Sequence, residues 1–161
     1  MRTLMFALAA LAFAGPVLAT EEPVKPYTQS DANAGATPFK GDAMYKALHE
    51  QAGIARITAE LIQRLKTDPR TADIFRAADF ERLNRTLNEE FCYVAGGPCH
   101  YTGMDMKTAH QHMGLQEAHF NALVEDLEAA MTKEGVPWRD QSRFLAKFAP
   151  MKPNVVDASL P

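Results

Sequence analysis

Residues 96–120 read Gly-Gly-Pro-Cys-His-Tyr-Thr-Gly-Met-Asp-Met-Lys-Thr-Ala-His-Gln-His-Met-Gly-Leu-Gln-Glu-Ala-His-Phe. Gly96, Gly97 and Pro98 end one helix, because glycine and proline break the helical ladder. Asp105 is placed to cap a short second helix through its carboxylate. His110 falls near the end of that helix, and Gly114 can close it by adopting positive φ. Gln116 and Glu117 then open a new amphipathic run. The stretch therefore sets one imidazole on a short helix between two long ones. A neutral imidazole nitrogen at such a place is a good ligand for haem iron. A histidine satisfied on a helix surface is the plainer alternative.

Outward from this stretch the periodicity is helical throughout. Upstream, Asp42 can cap a short helix that turns Met44 and Leu48 inward, and Gly53 separates it from the next. Ile54, Ile57, Leu61 and Leu65 predict a helix over 54–66, with Ile62 widening its stripe. Asp68-Pro69 opens a short helix ending near Phe75. Asp79 can cap a fourth helix over 80–95, whose face is Phe80, Leu83, Leu87, Phe91 and Val94. Downstream, Phe120, Leu123, Val124, Leu127 and Met131 mark a helix over 116–134, closed by Gly135. Pro137 opens the last helix, with Phe144, Leu145 and Phe148 inward, and Pro150 interrupts it. No stretch reads as a strand and no repeat is visible. The pattern predicts an all-α domain with wide apolar stripes.

The chain has 161 residues, 47% of them hydrophobic, enough for one domain with a real core. Its formal net charge is −3, and no basic patch stands out, which argues against a nucleic-acid partner. Arg2, the apolar run Leu4 to Ala14 and the small residue Ala19 read as a secretory signal over residues 1–19. The run is short for a spanning helix, so no membrane partner is expected after cleavage. An exported, periplasmic protein is the expectation. Residues 20–41 hold Pro23, Pro26, Gly35 and Pro38 among polar residues and read as a flexible leader. The domain then occupies residues 42–156, followed by a tail at 157–161. Cys92 and Cys99 would lie roughly 10 Å apart on a continuous helix at ~1.5 Å per residue, beyond disulfide reach. The Gly-Gly-Pro break lets the chain turn back, so a bridge and two free thiols are both open. No Cys-x-x-Cys-His occurs, so covalent c-type attachment of haem is not indicated.

The chain resembles the group 1 truncated haemoglobins, within the bacterial-like globins. The matching residues are Gly96-Gly97-Pro98, Tyr101-Thr102-Gly103, Met106-Lys107, and His110 followed by Gly114. The likeness continues through Ala118-His119-Phe120, Gly135-Val136-Pro137 and Ala149-Pro150. Upstream it takes in Tyr45, Asp68-Pro69-Arg70 and Phe75. It implies a truncated globin fold, a two-over-two helical sandwich around haem b, with His110 as the proximal iron ligand. It also implies haem contacts from Phe75, Leu83, Leu87, Phe91, Tyr101, Met106, Phe120 and Leu123. Diatomic gases (O2, NO, CO) are the ligands that the family binds.

The distal side departs from the family pattern, which places a tyrosine on the second helix and a glutamine on the fourth to hydrogen-bond bound oxygen. Ile62, Leu83 and Leu87 stand at the matching positions, and none can donate a hydrogen bond. The expectation is an apolar distal pocket with weak hold on oxygen. Two rivals belong to other classes. One is an enzyme, a nitric oxide dioxygenase or peroxidase that needs an external reductase, since no flavin or nicotinamide motif is present. The other is a helical binding module without haem. A zinc site from His110, His112 and His119 fits no standard ligand spacing.

Overall fold

The computed structural model describes residues 21–157, and the expected signal segment 1–19 lies outside them. Among the described residues the regular structure is helical: α1 (Ala43–Ala47), α2 (Glu50–Thr67), α3 (Ala72–Phe75), α4 (Phe80–Val94), α5 (Met106–His110), α6 (Glu117–Glu134), α7 (Trp138–Leu145) and α8 (Lys152–Val155). Short 3-10 turns at Asp31–Ala34 and Ala149–Met151 complete it. None of these helices is long and apolar enough to cross a membrane.

The stripes pack as a two-over-two sandwich. Helix α2 lies against both α4 and α6, and α6 lies against α7. Ile54, Ile57, Leu61 and Leu65 of α2 are fully buried, facing Phe91 and Val94 of α4 and Leu127 and Met131 of α6. Each such side chain contributes roughly 1.5–3 kcal/mol on leaving water. Phe91, Phe144 and Phe148 meet edge to face, with centroids 5.6, 5.7 and 5.1 Å apart, the favoured arrangement for aromatic quadrupoles.

Several helix boundaries follow the predicted caps. Asp79 accepts from the Arg82 amide at 3.1 Å, and Asp105 accepts from the Thr108 amide at 3.0 Å. Gly135 closes α6 at φ 84°. Three local expectations are corrected. Asp42 does not cap α1; its carboxylate pairs instead with Lys46 one turn on, at 2.7 Å. Gly53 does not separate two helices, because α2 begins at Glu50 and runs through it. A side chain there would collide with the Leu48 carbonyl, so the glycine permits the tight corner between α1 and α2. Asp68 accepts from the Arg70 amide at 2.8 Å in the turn after α2, and α3 starts later, at Ala72.

The segment expected as a flexible leader is instead packed on the domain. Ala34 is fully buried in a small cluster with Tyr101, Met106 and Met151. The Tyr27 hydroxyl donates to the Thr102 carbonyl at 2.8 Å, and Asn33 donates to the Gly103 carbonyl at 3.1 Å. Arg85 reaches Glu21 at 2.9 Å. These polar anchors leave no trace in apolar periodicity, which is why the sequence reads as a linker.

The cysteine question also resolves. Cys92 and Cys99 form a disulfide with Cα atoms 5.8 Å apart. Gly96 at φ 81° reverses the chain, and the Gly97 amide donates to the Cys92 carbonyl at 2.8 Å. A bridge over so short a loop is worth about 2–3 kcal/mol in the chain-entropy account. Cys99→Ser is therefore expected to lower unfolding stability by that amount, measured by urea denaturation under non-reducing conditions. Equal midpoints for the two proteins would show that the bridge constrains nothing.

Candidate functional site

A cavity of about 420 Å³ opens between α4 on one side and α5 and α6 on the other. Its size falls within the roughly 300–1,000 Å³ usual for small-molecule and cofactor sites. Leu83 and Leu87 face it from α4, one helical turn apart. Phe75 enters from α3, Tyr101 from the loop after α4, and Met106 and His110 from α5. Phe120 and Leu123 close it from α6. Val24 and Tyr27 of the leader form part of the wall as well.

His110 is the chemically distinctive group. Its Nδ1 lies 2.7 Å from the Met106 carbonyl, one turn back on the same short helix. A carbonyl can only accept, so Nδ1 carries the proton and Nε2 keeps its lone pair. Such a bond fixes the ring's orientation and tautomer, as a partner of this kind does for histidines that bind metals. Burial holds the imidazole below the ordinary histidine range, against a smaller opposite effect of the Met106 bond. The ring is therefore neutral at pH 7, the form in which nitrogen ligates a metal.

The other histidines behave differently. His112 is exposed, at φ 66° in the turn after α5. His119 lies in the cavity wall rather than on a free surface, and its Nδ1 accepts from the Gln116 amide at 3.1 Å, fastening the start of α6. Tyr101 is buried and donates its hydroxyl to the Met104 carbonyl at 3.0 Å. Burial raises its phenol further, so it stays neutral.

Two expected site residues do not line the cavity. Ile62 is buried but lies about 60° round α2 from Leu65, at 3.6 residues per turn, and Leu65 takes its place in the wall. Phe91 belongs to the aromatic trio of the core, about 80° round α4 from Leu83. The position beside it, Glu90, completes the stripe with Leu83 and Leu87 and faces the cavity. The expected apolar lining is thus broken by a carboxyl group. The sequence held that stripe, but a glutamate on an amphipathic helix reads as a solvent-facing residue.

The bacterial-like globin family model matches residues 43–157, most of the chain. The chain belongs to the bacterial-like globin family. Its relatives place it among the group 1 truncated haemoglobins. It is 34% identical over 92 residues to the group 1 truncated hemoglobin GlbN of Mycolicibacterium paratuberculosis, covering 57% of this chain and 68% of that protein. It is 30% identical over 109 residues to the group 1 truncated hemoglobin GlbN of a Nostoc species, covering 68% and 92%. The fold is that of the truncated hemoglobin from Tetrahymena pyriformis in its Fe(III) form, with a TM-score of 0.68 at 23% identity, covering 70% of this chain and 97% of that one. The 2/2 hemoglobin of a Synechococcus species superposes with a TM-score of 0.66 at 20% identity. The globin is accordingly a haem-binding protein, and the cavity suits that cofactor. A flat apolar macrocycle matches walls of leucine, phenylalanine and methionine, and an oriented neutral imidazole matches its iron.

Proposed function

We propose that this globin holds haem b through His110 and reversibly binds diatomic gases, O2, NO or CO, in the space beneath Leu83 and Leu87. One observation carries the reading: the Met106 carbonyl fixes the His110 ring so that Nε2 is the free, unprotonated nitrogen in the cavity. Haem supplies an iron centre for the gas, and the chain does the rest. His110 would ligate the iron, and Phe75 and Phe120 would pack on the macrocycle. Leu83 and Leu87 exclude water from the gas side. Turnover as a nitric oxide dioxygenase or peroxidase would require an external reductase, and no group in the cavity favours that reading over gas binding.

Reconstitution tests this directly. The purified chain with added haemin is expected to give a Soret band in the ferric state. The band should shift on reduction and shift again with CO. A free-haemin spectrum, with all haem removed on gel filtration, would defeat the proposal.

A further inference from the structure

Residues 89 and 90 are both glutamates, and they face different ways. Glu89 accepts from the Thr102 amide at 2.9 Å and hydroxyl at 2.7 Å, and pairs with Arg85 at 3.1 Å. Glu90, only 7% exposed, lines the cavity. No hydrogen bond or ion pair reaches its carboxyl among the described residues. An ionised carboxylate so placed is strongly unfavourable, and such a group keeps its proton instead. A protonated carboxyl is a hydrogen-bond donor, and a buried donor without a partner is costly unless something in the cavity accepts from it.

Most other polar groups round the cavity are already committed. Arg82 pairs with Asp79, and Arg85 with Glu21 and Glu89. Tyr101 and Tyr27 give their hydroxyls to the Met104 and Thr102 carbonyls. Thr86 donates to the Arg82 carbonyl, and His110 Nδ1 donates to Met106. His119 accepts at Nδ1, which leaves its Nε2 proton as the rival donor, on α6.

We propose that Glu90, as the neutral acid, is the hydrogen-bond donor of this cavity and holds the outer atom of a gas bound there. It would replace the tyrosine and glutamine donors whose positions carry Ile62, Leu83 and Leu87. The assignment rests on the haem-and-gas reading above. It stands on placement: a carboxyl on the same helical stripe as Leu83 and Leu87, buried, facing the gas space and unpartnered. Burial also pushes the carboxyl up to about 8, consistent with the acid form at neutral pH.

The infrared C–O stretch of the ferrous CO complex reads a donor beside the ligand, which lowers its frequency. Glu90→Leu is expected to raise that frequency and to speed O2 release about ten-fold, the effect of losing one strong hydrogen bond. Glu90→Gln keeps a donor and should keep the low band. As pH rises through about 8, the wild-type band should move toward that of Glu90→Leu, while Glu90→Gln stays fixed. Identical bands in wild type and Glu90→Leu, or a shift produced only by His119→Phe, would overturn the proposal. Should Glu90→Leu fail to fold, the pH response of wild type against Glu90→Gln decides. A wild-type chain that takes up no haem would refute the haem reading instead. The haem-free protein then still tests the acid form, by a protonated-carboxyl stretch that must be present below about 8 and absent in Glu90→Gln.

Discussion

Replacing His110 by glycine is expected to release the haem. In the proposed reading the imidazole supplies a direct bond to the metal, and its loss would exceed that of a supporting hydrogen bond, which alone costs a metal site roughly 10- to 100-fold in affinity. The remaining hold would be apolar contact with the cavity residues Phe75, Leu83, Leu87, Met106 and Phe120, which would fix the macrocycle without fixing the iron. The glycine leaves a space of imidazole shape beside the Met106 carbonyl. Free imidazole should enter it and restore part of the haem binding. Haem transfer to an acceptor apoglobin, followed at the Soret band with and without imidazole, gives the rates. Unchanged transfer and an unchanged spectrum in His110→Gly would remove His110 from the site.

The long helices were legible in the sequence for one physical reason, whereas the cavity residues were named only through the family resemblance. A helix that buries one face must repeat apolar residues every three to four positions, and α2, α4 and α6 do so. A cap and a glycine isolate His110 on a short helix, but the family resemblance is what made it the ligand candidate rather than a surface histidine. What periodicity cannot do is choose between neighbours at the edge of a stripe. Ile62 against Leu65, and Phe91 against Glu90, differ by less than a third of a turn. Which of each pair meets the cavity depends on how the helices roll against their partners. The leader was illegible because it is held by Tyr27, Asn33 and Glu21 through hydrogen bonds and an ion pair rather than by a stripe. The disulfide was open because only the reversal at Gly96 brings Cys99 back to Cys92.

Glu90 makes a separate demand on stability, and its sign follows from proton linkage. Its ordinary value is 4.5, and burial raises it to about 8 in the folded globin. Below about 4.5 both folded and unfolded chains carry the proton, and the full stability is present. Between about 4.5 and 8 the unfolded chain has released a proton that the folded chain still binds. Stability therefore falls as pH rises through this window, by up to about 1.4 kcal/mol per unit, and the loss is complete above about 8. The other strongly shifted carboxyl acts at the opposite end. The Arg56 guanidinium, with His49 beside it, holds Glu134 at about 2. That contribution is present above about 4.5 and disappears as pH falls toward 2, so the two windows do not overlap. Glu90→Gln cannot ionise and keeps nearly the same shape. Relative to wild type it should gain a few kcal/mol between pH about 5 and about 8 and hold that gain above, an upper range set by 1.4 kcal/mol per unit. Urea midpoints across that range, for wild type and Glu90→Gln, measure the difference at each pH. Parallel curves would mean that the Glu90 carboxyl is ionised, with water or a cation beside it, and that the cavity wall is wetter than its residues imply.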